Sequence, residues 1–349
     1  MQSISLCSDK NTFKCVEKWH ETPDAVSVKL ATSYGRPHFS FKPGQFISLG
    51  IEINGKTEYR SYSLSSIPDE NQLQLTIKKV PNGLMSNYVV DKLNIGDSVS
   101  VLPPAGEFNC VDYPPATFSG RKKALMLSAG CGITPVYSMA KYLLHNDDVD
   151  ITFVHTALDL SNTIYLYELE TLNNHHDNFQ LQLLLQDAEN SHHHEGWLDQ
   201  EWLERLVPDI RERSIYLCGP SQFMIDVKSY LQQLSVDMSL FHQESFTPAT
   251  NEPEQSDTDS KSTYTVSVPK FGANLSAGEN SLLADSLEQA GLPIILACRS
   301  GICGSCKCKV NKGKVTSSSQ SPLTESEINN GYVLACSSTI ESDVEIELG

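Results

Sequence analysis

Four cysteines set the terms for the last quarter of this chain. Cys298, Cys303 and Cys306 stand at C-x4-C-x2-C spacing, and Cys336 follows beyond residues 307–335. That is the plant-type spacing for a [2Fe-2S] cluster. Three thiolates from one tight loop can hold one side of a compact cluster, and the fourth must then come from a distant segment. Gly301 and Gly304 let the loop wrap closely and turn its N–H groups toward sulfur, because glycine enters backbone conformations closed to other residues. No histidine stands in for two of the cysteines, as a Rieske centre requires. A zinc ribbon would use paired C-x2-C knuckles, and only one such knuckle is present.

A chain of 349 residues is too long for one ordinary core, so two or three domains are expected. The formal net charge of −17 argues against nucleic acid or an anionic membrane as a partner. There is no apolar run of about 18 residues to span a bilayer and no basic-then-apolar leader pattern. A soluble, cytoplasmic, monomeric protein is expected. In that compartment the ten cysteines read as reduced thiols. Cys7, Cys15, Cys110 and Cys308 read as core or incidental residues, while Cys131 and Cys218 fall inside motifs. The tract His192-His193-His194, near His175 and His176, has no carboxylate or cysteine at helical spacing and reads as a solvated loop.

Residues 247–262 are polar, acidic and nearly free of large apolar groups, a composition expected of a mobile linker. It divides the chain. Beyond it, residues 263–349 carry the cluster cysteines together with a strand-like alternation over 264–268, a helical spacing over 281–290 stopped by Gly291, and a capping box from Thr324 to Glu327. This is a small mixed sheet with a covering helix. Before the linker, residues 1–117 contain short strand-like runs at 25–31, 45–53, 73–80 and 98–102 between turn residues, which predicts an antiparallel barrel. Over 118–246, apolar strands at 124–129, 151–156 and 215–217 alternate with amphipathic helices at 136–144 and 223–234, which predicts an α/β domain built on a parallel sheet.

Two barrel segments suit a flavin. Arg60-Ser61-Tyr62-Ser63 ends a strand pattern and offers a cation for phosphate, hydroxyl donors for a ring edge and an aromatic face for stacking. Lys79 to Ser86 runs through a turn at Pro81-Asn82-Gly83 into a helix predicted to begin near Leu84, whose first N–H groups would face a pyrophosphate. In the α/β half, Gly130-Cys131-Gly132-Ile133-Thr134-Pro135 joins a strand to a helix as a nucleotide loop does. The glycines permit close approach, Thr134 can cap the helix, and Pro135 suits its first turn. Cys218-Gly219-Pro220 repeats the strand-end turn, and two such ends side by side make a nucleotide crevice.

Charge favours NADH over NADPH. Between Tyr142 and Glu204 there is no Lys or Arg, and the segment expected beside the adenosine ribose ends in Asp159, whose carboxylate suits a free 2′-hydroxyl. Arg211, Arg213 and Lys228 are the cations that could still fold toward that site.

In their order along the chain, these motifs and the cluster loop resemble the ferredoxin reductase family with a fused C-terminal plant-type ferredoxin. The resemblance spans nearly the whole sequence and implies three domains: an antiparallel β-barrel flavin domain, an α/β parallel-sheet NAD domain and an α+β β-grasp ferredoxin domain. It implies FAD rather than FMN, with Arg60 on the flavin phosphate, Tyr62 stacked on the ring and Ser63 near its reactive nitrogen. Lys79, Gly83, Met85 and Ser86 complete that site. Gly130, Gly132 and Thr134 would bind the dinucleotide, with Cys218 close to the nicotinamide and Glu244 and Phe246 reaching back to the flavin. Leu158 departs from the Arg that the family favours there. The segments 324–337 and 244–248 resemble most the branch that reduces the hybrid-cluster protein, with oxygenase reductases as neighbours. Electrons are then expected to pass from NADH to flavin to cluster to an external acceptor protein, because hydride carries two electrons and the cluster accepts one.

Overall fold

The computed structural model describes residues 11–32, 39–189, 191–246 and 263–348. The expected linker at 247–262, Cys7 and the end of the 244–248 motif lie outside the described residues. The chain forms two compact units, residues 1–52 with 62–247 and residues 53–61 with 248–349.

The barrel is a six-stranded sheet in the order Lys56–Ser63, Phe46–Ile53, Ser98–Ala105, Thr12–Thr22, Ala25–Ala31, Leu73–Lys78. An antiparallel bridge from Leu64 to Leu75 brings its two ends together. Its interior is apolar because alternate residues such as Val26, Val28 and Leu30 face inward and are fully buried. The runs expected from sequence at 25–31, 45–53, 73–80 and 98–102 all lie within a residue or two of these strands or inside them. Thr12–Thr22 carries Lys14, Glu17, Lys18 and His20, polar groups that obscure its alternation, and so gives little sequence signal.

The α/β part is a parallel sheet in the order His194–Glu195, Phe179–Leu185, Val149–Ala157, Arg121–Ala129, Ser214–Cys218, Phe241–Glu244, with Thr117–Phe118 antiparallel on Arg121–Ala129. Arg121–Ala129 sits mid-sheet and is apolar along its buried half, as strands covered on both faces must be. Helices Ile133–Asn146 and Leu166–His175 are joined to one buried cluster, and Gln200–Leu206 and Ser221–Gln233 to the other.

Barrel and parallel sheet form one compact unit because the first of these clusters crosses between them: Ala25, Phe108 and Cys110 pack with Met126, Tyr137, Tyr165 and Tyr216. Polar contacts reinforce the seam. Ser138 Oγ donates to the Ser66 carbonyl at 2.7 Å, Lys141 Nζ meets Glu70 Oε1 at 2.7 Å, and the Thr76 and Tyr165 hydroxyls are hydrogen-bonded. Tyr165 is 1% exposed and holds a left-handed backbone (φ 60°) at the start of its helix.

The second unit contains a mixed sheet in the order Ala273–Gly278, Thr263–Val268, Val344–Leu348, Lys307–Lys312, Tyr332–Leu334, in which only Thr263–Val268 and Val344–Leu348 run parallel. Helix Leu283–Gln289 covers it with Leu283, Ala284 and Leu287. Gly291 follows that helix at φ 68°, and Thr324 with Glu327 closes the capping box of Glu325–Asn329. The acidic C-terminal stretch is a strand with Val344, Ile346 and Leu348 inward; Glu345, on its other face, pairs with Lys312.

Candidate functional site

The cluster loop is built by residues that favour sharp turns. Arg299, Gly301 and Gly304 all have positive φ, and a Cβ at Gly301 would stand 2.7 Å from Ser319 Cβ. Glycine is needed at 301 because the loop folds against the 319 and 337 segments, where Ser319 Oγ donates to the Gly301 carbonyl at 2.8 Å. Arg299 is anchored on Glu288 and Asp285. The four thiols meet. Cys306 and Cys336 sulfurs are 3.2 Å apart, and Cys298 lies within hydrogen-bonding reach of both Cys303 and Cys336, which holds its thiol well below the usual range. The Ser300 N–H points at Cys298 Sγ (3.5 Å) and the Ser305 hydroxyl lies 3.1 Å from Cys303 Sγ. A cage of four sulfurs with N–H and O–H donors around it fits an iron-sulfur cluster. Cys308, two residues on, is buried in the core on the neighbouring strand, where burial pushes its thiol up to about 12.

Four buried side-chain atoms among the described residues lack a hydrogen-bond partner: Ser61 Oγ and Ser63 Oγ on a barrel strand, and Glu244 Oε2 and His155 Nε2 on the parallel sheet. Such an atom costs about 1–3 kcal/mol if nothing meets it, so Ser63 Oγ and Glu244 Oε2 would each fit a polar group supplied by a ligand, as a flavin ring edge does. Burial pushes the Glu244 carboxyl up to about 8, leaving it protonated at neutral pH. Helix Leu84–Asp91 begins as expected, with Gly83 at its N-cap and no side chain capping it. Gly83 has no room for a Cβ, which would stand 2.4 Å from both Ser86 Oγ and Val80 Cγ2. Met85 and Ser86 are buried beneath this turn, and Ser86 Oγ accepts from the Val80 N–H. Lys79 is ion-paired with Asp91 at 2.6 Å, while Arg60 donates to the Tyr59 carbonyl and lies 3.7 Å from Glu58. Tyr62 is half-buried and Phe246 is 48% exposed.

The two strand ends of the parallel sheet close on each other. Gly130 has φ 52°, and a Cβ at Gly132 would stand 2.3 Å from the Cys218 carbonyl oxygen. A Cβ at Gly219 would likewise stand 2.6 Å from the Phe223 ring, and Pro220 starts helix Ser221–Gln233. Thr134 does not cap its helix, as the sequence suggested; its hydroxyl donates to the Cys131 carbonyl at 3.0 Å and bends the loop back on itself. A cleft of about 320 Å³ opens beside these turns, walled by Ala129, Thr156, Pro220, Phe223, Trp197 and Leu198. Asp159 is held elsewhere. Its carboxylate caps the turn Leu160–Asn162 by accepting from the Ser161 hydroxyl and the Asn162 amides, which lowers its pKa. Two of the three cations that might have served a 2′-phosphate are also engaged. Arg213 is buried between Asp150 and Asp209, and Arg211 donates to the Leu234 carbonyl.

Sequence reasoning missed two elements of this region. His155, fully buried, meets Ser128 Oγ through Nδ1 at 2.8 Å, and burial lowers its pKa to about 3. Trp197 and Leu198 line the cleft, yet stand in a loop with no motif.

Domain models match in the same order. An oxidoreductase FAD-binding domain covers residues 12–110, an oxidoreductase NAD-binding domain 126–229, and a 2Fe-2S iron-sulfur cluster binding domain 270–341. The glycine betaine monooxygenase reductase subunit of Chromohalobacter salexigens is 36% identical over 97% of this chain and 95% of its own length. NADH oxidoreductase HCR of Escherichia coli is 29% identical over 93% of each. Phthalate dioxygenase reductase shares the fold, with a TM-score of 0.60, 23% identity and 97% of each chain covered.

Proposed function

The chain belongs to the ferredoxin–NAD(P) reductase family, with a C-terminal [2Fe-2S] domain, and on that premise we propose that it oxidises NADH and delivers the electrons singly to an acceptor protein. It is an oxidoreductase with FAD-, NAD- and [2Fe-2S]-binding domains. A flavin, when bound, supplies the exchange between a hydride and single electrons that a one-electron centre needs. The observation that carries the reading is the meeting of the Cys298, Cys303 and Cys306 thiols of one loop with Cys336 from a distant segment, in a chain that also closes Gly132 on Cys218.

In this reading Arg60 neutralises the flavin phosphate, Tyr62 and Phe246 cover ring faces, and Ser61 and Ser63 give their unpaired hydroxyls to the ring edge. The uncapped N–H groups that follow Gly83 take the pyrophosphate, with Lys79, Met85 and Ser86 shaping the turn. Glu244 holds a proton in a dry pocket, where a neutral carboxyl can donate as an ionised one cannot. Gly130, Gly132 and Thr134 admit the dinucleotide, and Cys218, Gly219 and Pro220 form the opposite lip. Asp159 would favour a 2′-hydroxyl by its charge, acting from the edge of the crevice. The domain division at 117/118 and 246/263 belongs to the same reading.

For the acceptor we favour the oxygenase component of a two-component monooxygenase, because the glycine betaine monooxygenase reductase subunit is the more similar of the two relatives described above. The hybrid-cluster protein is the second reading, resting on the relative HCR. The test compares NADH-driven reduction of a glycine betaine monooxygenase oxygenase component with that of a hybrid-cluster protein, ferricyanide serving as the common reference. Equal ferricyanide rates with NADH and NADPH would remove the NADH preference. No NADH-dependent ferricyanide reduction by flavin-loaded protein would remove the reductase reading altogether. No helix among the described residues is long and apolar enough to cross a membrane, in keeping with an acceptor met in solution.

A further inference from the structure

The tract His192-His193-His194 reads in sequence as a solvated loop for want of a carboxylate. The fold supplies one. Helix Leu166–His175 brings Glu170 alongside, so that one ligand atom from each of Glu170, His192 and His193 lies within 4.8 Å of the others. His193 Nε2 is 3.4 Å from Glu170 Oε1, and the His192 and His193 rings are 4.0 Å apart. These side chains line a cleft of about 410 Å³ between that helix and strand Phe179–Leu185.

From this geometry we infer a binding site for Zn²⁺, or a first-row divalent cation of similar preference, held by His192, His193 and Glu170. Two imidazoles and one carboxylate are a donor set zinc accepts with a fourth position left to water. With bonds of about 2.0–2.1 Å, two tetrahedral zinc ligands stand about 3.4 Å apart, which is the His193 to Glu170 separation; only His192, on an exposed loop, needs to swing inward.

The site would act on the chain that follows it. Strand His194–Glu195 pairs in parallel with Leu184 and Leu185, Gly196 N–H donates to the Leu185 carbonyl, and the next two residues, Trp197 and Leu198, wall the cleft beside Pro220. A metal tying His192 and His193 to Glu170 would staple the start of that strand to the helix. On the reading given under Proposed function, it would also steady one wall of the nucleotide crevice.

The experiment uses holoprotein with its iron content verified, dialysed against micromolar Zn²⁺ and analysed for both metals. One zinc per chain beyond the iron is expected for the wild type and for H176A, with affinity reduced at least about tenfold in H192A/H193A and in E170Q. In the wild type and H176A, but not in H192A/H193A or E170Q, zinc should slow backbone hydrogen exchange over residues 191–198. Equal zinc binding by wild type and H192A/H193A, or none by the wild type, would overturn the site. Neither readout involves NADH, so failure here is separate from failure of the reductase assignment.

Discussion

Cys218 and Glu244 are register partners across the last two parallel strands, Ser214–Cys218 and Phe241–Glu244. Both are desolvated at the carboxyl end of the sheet: burial and then the Glu244 charge push the Cys218 thiol well above its ordinary range. Glu244 itself lies at about 8, with Oε2 unpartnered.

The stability of the flavin-free chain should therefore depend on pH in a defined direction. The folded state keeps a proton on Glu244 that the unfolded state releases near 4.5. Between about pH 4.5 and 8 the folded state binds more protons, so this contribution falls as pH rises and levels off above 8. Thermal melts of wild type and Glu244→Gln across that window test it: the variant should show the shallower slope, and parallel curves would refute the assignment.

Ser63→Ala should separate fold from ligand. Removing an unsatisfied buried hydroxyl leaves the flavin-free protein at least as stable, whereas loss of a donor to bound flavin weakens binding by about 1–1.5 kcal/mol, roughly tenfold. Flavin titration and melting of the free protein give the two numbers. A lower melting point with unchanged flavin affinity would assign Ser63 to structure alone.

At Gly132 the closest obstacle to a Cβ is backbone, the Cys218 carbonyl oxygen at 2.3 Å. Gly132→Ala must push the two strand ends apart, at about 1–3 kcal/mol of stability. The expected kinetic result is a kcat/KM for NADH lower by at least about tenfold, since each 1.4 kcal/mol is a factor of ten. Unaltered NADH kinetics would mean the two ends can separate freely.

Cys306 and Cys308 are two residues apart and both buried, but it is the Cys306 sulfur that meets Cys336. Cys306→Ala should lose cluster iron and its colour, while Cys308→Ala should keep both and lose only core packing, about 1 kcal/mol. Metal analysis and visible absorbance decide; equal iron loss in both would break the assigned ligand set.

Arg213 is 6% exposed and bridges Asp150 and Asp209 at the end of the sheet remote from the crevice. Arg213→Met leaves Asp150 without its partner and Asp209 with Lys123 alone, and should cost about 3 kcal/mol. Denaturant unfolding measures it, and a change below about 1 kcal/mol would show the carboxylates to be well solvated.

The sequence by itself determined the parts whose physics is local. Cysteine spacing, the glycines at 130, 132, 301 and 304, the Thr324 capping box and the alternation of 264–268 act over a few residues, and the structure forms a turn, cap or strand at each. Only the tertiary structure decided what distant segments do to one another. It joined barrel and parallel sheet through Thr76 and Tyr165, left Ser63 and Glu244 with buried oxygens unpartnered, engaged Asp159 as the cap of its own turn, and carried Glu170 to the histidine tract. The physical reason is that burial, charge and ligand geometry at these places come from residues far apart in the chain, and spacing along a sequence holds no record of which of them will meet.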